Sequence, residues 1–307
     1  MEYILETNSL SKIYGRNKAL DNVSIHVPKG GIYGLIGRNG AGKTTLLKII
    51  SSLATASSGE FKIFGKTSSE LKGENVKIGT LIEAPGIYPK LSAVDNMQIK
   101  SLTMGINDKQ RINALLELVG LDSVLKKPVG KFSLGMKQRL GMAMALIGKP
   151  ELVILDEPIN GLDPQGIIEV RDTISKLNRE HNITFIISSH ILEELSKVAT
   201  VYGIIDKGVL LEEITTDALM NRCTDKIQIG TNDNEKACRI IKEFGISDFR
   251  LSDDGFIYIF EQTEKCAEIN FALAKEDVPV HHLSKCSESI ENYYINLTDR
   301  NGGNKNA

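Results

Sequence analysis

Long apolar runs are missing from this chain. No stretch reaches the roughly eighteen apolar residues that a membrane span requires. Work at a membrane would therefore need another subunit to supply the spans. The N-terminus, Met1-Glu2-Tyr3-Ile4-Leu5-Glu6, is acidic and lacks the basic n-region and apolar core of a secretory signal. A charge excess of one sign is missing too: a formal net charge of −2 over 307 residues gives no global attraction to nucleic acid or an anionic membrane. Cysteine is sparse. Cys223, Cys238, Cys266 and Cys286 all lie in the last third with no C-x-x-C pair, which argues against a disulfide framework or a zinc site. They read as half-buried apolar residues in a reducing cytoplasm. A hydrophobic fraction of 41% and a charged fraction of 25% are ordinary for a globular chain of about two domains.

The densest signal is Gly37-Arg38-Asn39-Gly40-Ala41-Gly42-Lys43-Thr44, which fits the phosphate-binding pattern G-x-x-x-x-G-K-[ST]. Its context is the required one. Gly31-Ile32-Tyr33-Gly34-Leu35-Ile36 reads as a short buried strand before it, and Thr45-Leu46-Leu47-Lys48-Ile49-Ile50 opens a helix with one apolar face. The glycines let the backbone curl with its N–H groups inward and leave room for a β-phosphate. The helix N-terminus adds partial positive charge. Lys43 can reach the β- and γ-phosphate oxygens, and the Thr44 hydroxyl can ligand Mg²⁺. A glycine-rich strand-to-helix turn can be purely structural, but the Lys-Thr ending selects nucleotide binding, with Gly37 to Thr45 as the cofactor-binding segment.

Around this loop the chain alternates between strand and helix patterns. Residues 4 to 13 alternate as a strand until Tyr14-Gly15 breaks the run. Tyr14 reads either as an aromatic that stacks on adenine or as a strand-end packing residue. Gly59 to Gly65 and Lys77 to Glu83 read as further strands, the second ending at a carboxylate before the breakers Ala84-Pro85-Gly86. From about Ser92 to Lys127 the pattern is helical. Ser92-x-x-Asp95 resembles a capping box, and Ile112, Leu115, Leu116, Leu118 and Val119 recur at helical spacing. Phe132-Ser133-Leu134-Gly135-Met136-Lys137-Gln138-Arg139 then opens a long helix, Lys137 to Ile147, whose methionines (Met136, Met142, Met144) read as core. Ser133 Oγ and the Gly135 N–H stand at its N-terminus, where an anion is favoured.

Two apolar runs end in polar residues. Glu151-Leu152-Val153-Ile154-Leu155-Asp156-Glu157-Pro158 finishes in paired carboxylates. A buried parallel strand delivers polar residues at its C-terminal end, where α/β sheets bind ligands. Asp156 is placed to hold Mg²⁺ through water, and Glu157 to take the proton from an attacking water. Asn160-Gly161-Leu162-Asp163-Pro164 is a tight turn, and Ile183 to Ile187 is a second buried run that ends in Ser188-Ser189-His190. An isolated His at a strand end is usually structural. At the same strand end as the Asp156-Glu157 pair, His190 reads as a γ-phosphate contact.

The phosphate loop, FSLGMKQR, LVILDEP, NGLDP and SSH occur in the order and spacing of an ABC-transporter ATPase subunit, and the chain resembles that family over roughly residues 4 to 216. The resemblance implies an α/β P-loop NTPase cassette: a RecA-like core, an antiparallel β subdomain and a helical subdomain near residues 87 to 148. It implies ATP and Mg²⁺ as cofactors, a transmembrane permease as partner, and a peripheral place on the cytoplasmic face of the membrane. It also implies a head-to-tail homodimer, with each ATP between one subunit's phosphate loop and the other's Ser133 and Gly135. By position Tyr14 is the adenine-stacking aromatic, Asp163 lies at the dimer seam and His190 is the γ-phosphate switch. Two departures stand out. Leu134 and Met136 replace the usual glycine and glutamine of the helical motif, LSGGQ. Glu83 stands where most relatives carry a glutamine that touches Mg²⁺ and the coupling loop, so it keeps a ligand oxygen but loses the amide donor and adds negative charge. That glutamate, the SLGMKQR motif and the extension beyond residue 216 resemble the bacitracin-resistance and lantibiotic-immunity ATPases, whose permeases export antimicrobial peptides.

The segment from 217 to 300 has its own rhythm. Lys226 to Gly230 and Phe256 to Phe260 alternate as strands, with Asp253-Asp254-Gly255 as a hairpin turn. Glu235 to Phe244 and Glu264 to Lys275 read as helices, Val278 to Leu283 as a strand, and Ser287-Glu288-Ser289 opens a final helix. The β-α-β-β-α-β order predicts a small ferredoxin-like α+β domain, read as a dimer-bracing or regulatory extension. Residues 301 to 307 read as a disordered tail. Two other functions compete: a cassette that clamps ribosomes or DNA, and a permease complex that senses peptide rather than exporting it. Against the first stand the single cassette and the absence of a heptad run or a basic stripe.

Overall fold

The computed structural model describes residues 2–71, 77–223, 225–252, 255–286 and 290–302. The expected turn residues Asp253 and Asp254, the helix start at Ser287-Glu288-Ser289 and residues 303–307 of the expected tail lie outside the described residues. The chain forms two compact units, Met1–Thr216 and Asp217–Ala307.

In the first unit the chain runs through β1 (Tyr3–Tyr14), β2 (Asn17–Val23), β3 (His26–Pro28) and β4 (Ile32–Ile36). It continues through α1 (Lys43–Ile50), β5 (Ser58–Ile63), β6 (Lys66–Thr67) and β7 (Ile78–Leu81). Three helices follow, α2 (Ala93–Thr103), α3 (Lys109–Leu118) and α4 (Leu134–Ala145). The unit closes with β8 (Leu152–Asp156), α5 (Pro164–His181), β9 (Thr184–Ser189), α6 (Leu192–Ser196), β10 (Val201–Asp206) and β11 (Val209–Thr215). β1 pairs antiparallel with β2, β3 and β5, and β6 pairs antiparallel with β5. The second sheet has the order β11-β10-β4-β9-β8-β7, parallel throughout except for the β10–β11 pair.

Every residue of β4, β8 and β9 is buried. A parallel strand covered on both faces needs a continuous apolar run rather than alternation, and IYGLI and LVIL supply it. Leu35, Leu46, Leu47, Ile154 and Ile186 meet in one fully buried core cluster. Because β4, β9 and β8 are neighbours pointing the same way, with Ile36 opposite Ser189 and Asp156 opposite Ser188, their C-terminal ends form one edge. That edge is where such sheets bind ligands.

The helical segment has the predicted start. Ser92 and Asp95 form a capping box at α2, each side chain accepting from the other's backbone N–H. One expectation is corrected: α4 runs Leu134–Ala145, not Lys137 to Ile147. The Ser133 hydroxyl accepts from the Met136 N–H, which draws Leu134, Gly135 and Met136 into the first turn. Met142 is buried, and Met136 and Met144 are half-buried.

The second unit holds β12 (Lys226–Thr231), α8 (Asn234–Glu243), β13 (Phe249–Leu251), β14 (Ile257–Ile259), α9 (Cys266–Lys275) and β15 (Val280–Cys286), flanked by α7 (Thr216–Arg222) and α10 (Ile290–Gly302). Its sheet order, β13-β14-β12-β15, is antiparallel throughout. With β-α-β-β-α-β connectivity this is the ferredoxin-like arrangement. It has its own core, in which Ile227, Ile229, Ile241, Ile257 and Leu273 are fully buried. Cys238 and Cys266 are free, half-buried thiols, and burial raises the Cys238 thiol pKa. Among the described residues no helix is long and apolar enough to cross a membrane.

Ile186 sits at the centre of the parallel sheet with no solvent exposure. Ile186→Ala should lower unfolding free energy by about 2–5 kcal/mol through the cavity it leaves. Urea denaturation checks this, and an unchanged midpoint would mean the site collapses to fill the void.

Candidate active site

The phosphate loop leaves β4 and enters α1 with Gly42 at φ 107, a backbone region that side chains avoid. Space constrains it as well: a Cβ on Gly37 would stand 2.4 Å from the Ile205 carbonyl oxygen. The loop lines a cavity of about 530 Å³, within the usual range for small-molecule sites. Tyr14, Asn39, Gly40, Ala41, Gly42, Lys43, Thr44, Thr45 and Glu157 all border it. Tyr14 is 48% exposed, with the Lys12 ammonium 4.9 Å from its ring centroid. A strand-end ring with an open face is suited to stacking rather than core packing.

At the sheet edge three strand ends are tied together. The Thr44 hydroxyl donates to Asp156 Oδ2 at 2.9 Å, and the Ser188 hydroxyl donates to Asp156 Oδ1 at 2.5 Å. The Glu157 N–H donates to Ser188 Oγ at 2.9 Å. Asp156 is only 4% exposed, so these hydroxyls offset the cost of burying its charge. The donor set around Asp156 is all oxygen, the chemistry that suits Mg²⁺.

Glu157 turns the chain at φ 48, and its side chain faces two partners. The Lys43 Nζ is 3.1 Å from Oε1, an ion pair in distance but not a directional hydrogen bond. His190 Nδ1 is 2.8 Å from Oε2. An ionised carboxylate only accepts, so the imidazole donates from Nδ1 and its Nε2 is left for another partner. The Lys43 ammonium also donates to the carbonyls of Gly37 at 2.6 Å and Arg38 at 3.3 Å.

Not every predicted residue converges here. Glu83 stands at φ 65 with its side chain 64% exposed, and its carboxylate accepts from Lys48 Nζ at 2.5 Å. That hydrogen bond, opposed by partial desolvation, raises the Lys48 pKa. Ser133 caps α4, Gly135 is buried in its first turn, and Asp163 caps α5 by accepting from the Gly166 N–H at 3.2 Å. None of these three borders the cavity. Conversely, Ser188 carries a role that the sequence motif Ser188-Ser189-His190 does not single out. Nor does the sequence pattern single out Asn17, Lys18 and Ala19 after Tyr14, or Lys207 and Gly208, all of which line the cavity. The polar Asp206-Lys207-Gly208 between two apolar runs is a hairpin signal that would have marked the last two.

The family model described as "ABC transporter" matches residues 20–160. Over 299 residues the chain is 42% identical to the bacitracin transport ATP-binding protein BcrA of Bacillus licheniformis, covering 97% of this chain and 98% of that protein. The chain belongs to the ABC transporter ATP-binding family. It is also 44% identical over 218 residues to the lantibiotic transport ATP-binding protein SrtF of Streptococcus pyogenes, covering 71% of this chain and 93% of that one. A second model, an AAA domain described as putative AbiEii toxin, matches residues 126–196, from ahead of α4 into α6. Among solved structures, a dimeric ATP-binding cassette bound to ADP and Pi in a post-hydrolysis state shares the fold at TM-score 0.63 and 23% identity. That match covers 69% of this chain and 98% of that one. The ABC cassette is an ATP-hydrolysing subunit that binds ATP and works with membrane permeases.

Removing the Ser188 hydroxyl from this cassette would loosen both Asp156 and the Glu157 amide. Ser188→Ala should lower ATP turnover about 10- to 100-fold, the scale on which loss of a hydrogen-bonded supporting residue commonly acts. Steady-state ATPase assays with a matched thermal melt separate this from misfolding.

Proposed function

We propose that this chain is the ATP-hydrolysing subunit of an exporter that confers resistance to antimicrobial peptides of bacitracin or lantibiotic type, driving a separate membrane permease. The observation that carries the reading is near full-length similarity to bacitracin transport ATP-binding proteins of two genera, the Enterococcus faecalis protein being 40% identical over 98% of this chain. That similarity runs through the second unit as well as the cassette. The permease handles the peptide, so this chain meets it only indirectly, from the cytoplasmic face of the membrane. Nucleic acid has no part in the reading.

The residues divide the work as follows. Tyr14 stacks on adenine, and the segment Gly37 to Thr45 wraps the phosphates. An entering phosphate competes for the Lys43 ammonium, which exchanges the Gly37 carbonyl and Glu157 for phosphate oxygens. Glu157, relieved of that cation, accepts the proton of the attacking water. His190 holds the carboxylate through Nδ1 and offers its other ring nitrogen toward the γ-phosphate. Thr44 and Asp156 would hold Mg²⁺, which when bound neutralises phosphate charge. Glu83 joins that donor set only by exchanging Lys48 for the cation. Two copies close head to tail, with Ser133 and Gly135 of each meeting the ATP of the other and Asp163 at the seam. Residues 217–300 serve as an accessory or dimer-bracing domain.

The test is a resistance panel in a sensitive Gram-positive host that expresses this chain with its permease. Protection is expected against one class of peptide, lost with Glu157→Gln. In the purified chain that substitution should lower turnover about 10²- to 10⁴-fold while ATP binding persists. Unchanged turnover would remove Glu157 from the base role, and no protection against any peptide would sink the substrate assignment.

A further inference from the structure

The hairpin that follows Tyr14 and the phosphate loop belong to different sheets, and the turn of a second hairpin stands between them. β10 and β11 are joined through Lys207 and Gly208, both in the left-handed region at φ 47 and φ 80. Such a two-residue turn lets a hairpin close tightly. The Gly208 N–H donates to the Ala41 carbonyl of the phosphate loop at 2.9 Å. The Gly208 carbonyl accepts from the Asp21 N–H of β2 at 2.8 Å. One residue therefore bonds both walls of the cavity.

The packing leaves no space at that point. A Cβ on Gly208 would stand 2.8 Å from the Ala19 carbonyl oxygen and 3.2 Å from Leu20 Cα. From the other side, a Cβ on Gly42 would stand 2.7 Å from the same Ala19 oxygen and 3.5 Å from Gly208 Cα. The three nearest approaches of a Gly208 Cβ are to hairpin atoms, whereas its hydrogen bond to the phosphate loop is made by its amide. A side chain there would displace the hairpin and leave the loop bonded.

We propose that Gly208 is a positioning residue for nucleotide binding: it sets the separation between Tyr14 and the phosphate loop, and hence affinity for the base-bearing half of ATP. The proposal rests on the reading of Tyr14 as the adenine platform. It predicts a selective defect. Shifting the hairpin costs the base contact but spares the phosphates.

The experiment compares equilibrium binding of ATP and of inorganic tripolyphosphate, which carries phosphates but no base. The full-length chain is used as wild type, Tyr14→Ala, Gly208→Ala and the double variant. Tyr14→Ala and Gly208→Ala should each weaken ATP about tenfold, the scale of one lost base-stacking contact. The double variant should be no weaker than the poorer single one to within about twofold, because both remove the same contact. Tripolyphosphate binding should stay at the wild-type level in every variant. Wild-type ATP affinity in Gly208→Ala, losses that multiply in the double variant, or an equal loss for tripolyphosphate would each overturn the proposal. Unchanged ATP affinity in Tyr14→Ala would instead bring down the adenine reading, and the proposal with it. Should Gly208→Ala not fold, hydrogen exchange on the wild-type chain decides. ATP, but not tripolyphosphate, should slow exchange at both Asp21 and Gly208; slowing at Asp21 alone would overturn the proposal.

Discussion

The buried Asp156 carboxylate is the constraint around which the C-terminal edge of the parallel sheet is built. A charge that is 4% exposed is costly to desolvate, and the structure meets that cost with two hydroxyl donors from two different strand–helix units, Thr44 and Ser188. Those hydrogen bonds run across β4, β9 and β8. They tie the start of α1 to the ends of two other strands, so the phosphate loop cannot drift from Asp156 without leaving a buried carboxylate half satisfied. Ser188 extends the same network to the Glu157 amide. The position of Glu157 is therefore a consequence of satisfying its neighbour.

Backbone strain adds to this arrangement. Glu157 and Glu83 are both in the left-handed region, at φ 48 and φ 65, where a residue other than glycine costs roughly 1–2 kcal/mol. At Glu157 the bend ends β8 and turns the side chain to Lys43 and His190 rather than onward along the strand. At Glu83 it follows β7 and leaves the carboxylate on the exposed side, paired with Lys48. Two acidic residues at neighbouring strand ends thus receive opposite environments, one held between Lys43 and His190 and one facing solvent.

The second unit is built on different terms. Its sheet and helices enclose an apolar core of their own, largely isoleucine with leucine, valine and alanine. The lantibiotic transport relative matches 71% of this chain at 93% of its own length, whereas the bacitracin transport relative matches 97%.

The phosphate loop, the apolar strands and the carboxylates at their ends were legible in the chain because each is local. A loop with glycine at 37, 40 and 42 between a strand pattern and a helix pattern has few other uses. The run Leu152 to Leu155 is apolar throughout because both sides of a parallel strand are covered. The ferredoxin-like order of the second unit followed in the same way from alternating periods. The start of α4 was misplaced by three residues, since one hydroxyl, that of Ser133, decides where the first turn begins. Ser188, Lys48 and Gly208 were not legible, because their meaning depends on residues far away in sequence: Asp156, Glu83, and Ala19 with Ala41. No periodicity records that two left-handed residues after β10 would land between the hairpin and the phosphate loop. Sequence determines what each strand end carries. Only the stacking order of the sheet, β10-β4-β9-β8, decides which of those ends become neighbours, and it is at those junctions that hydrogen-bond partners and available space are set.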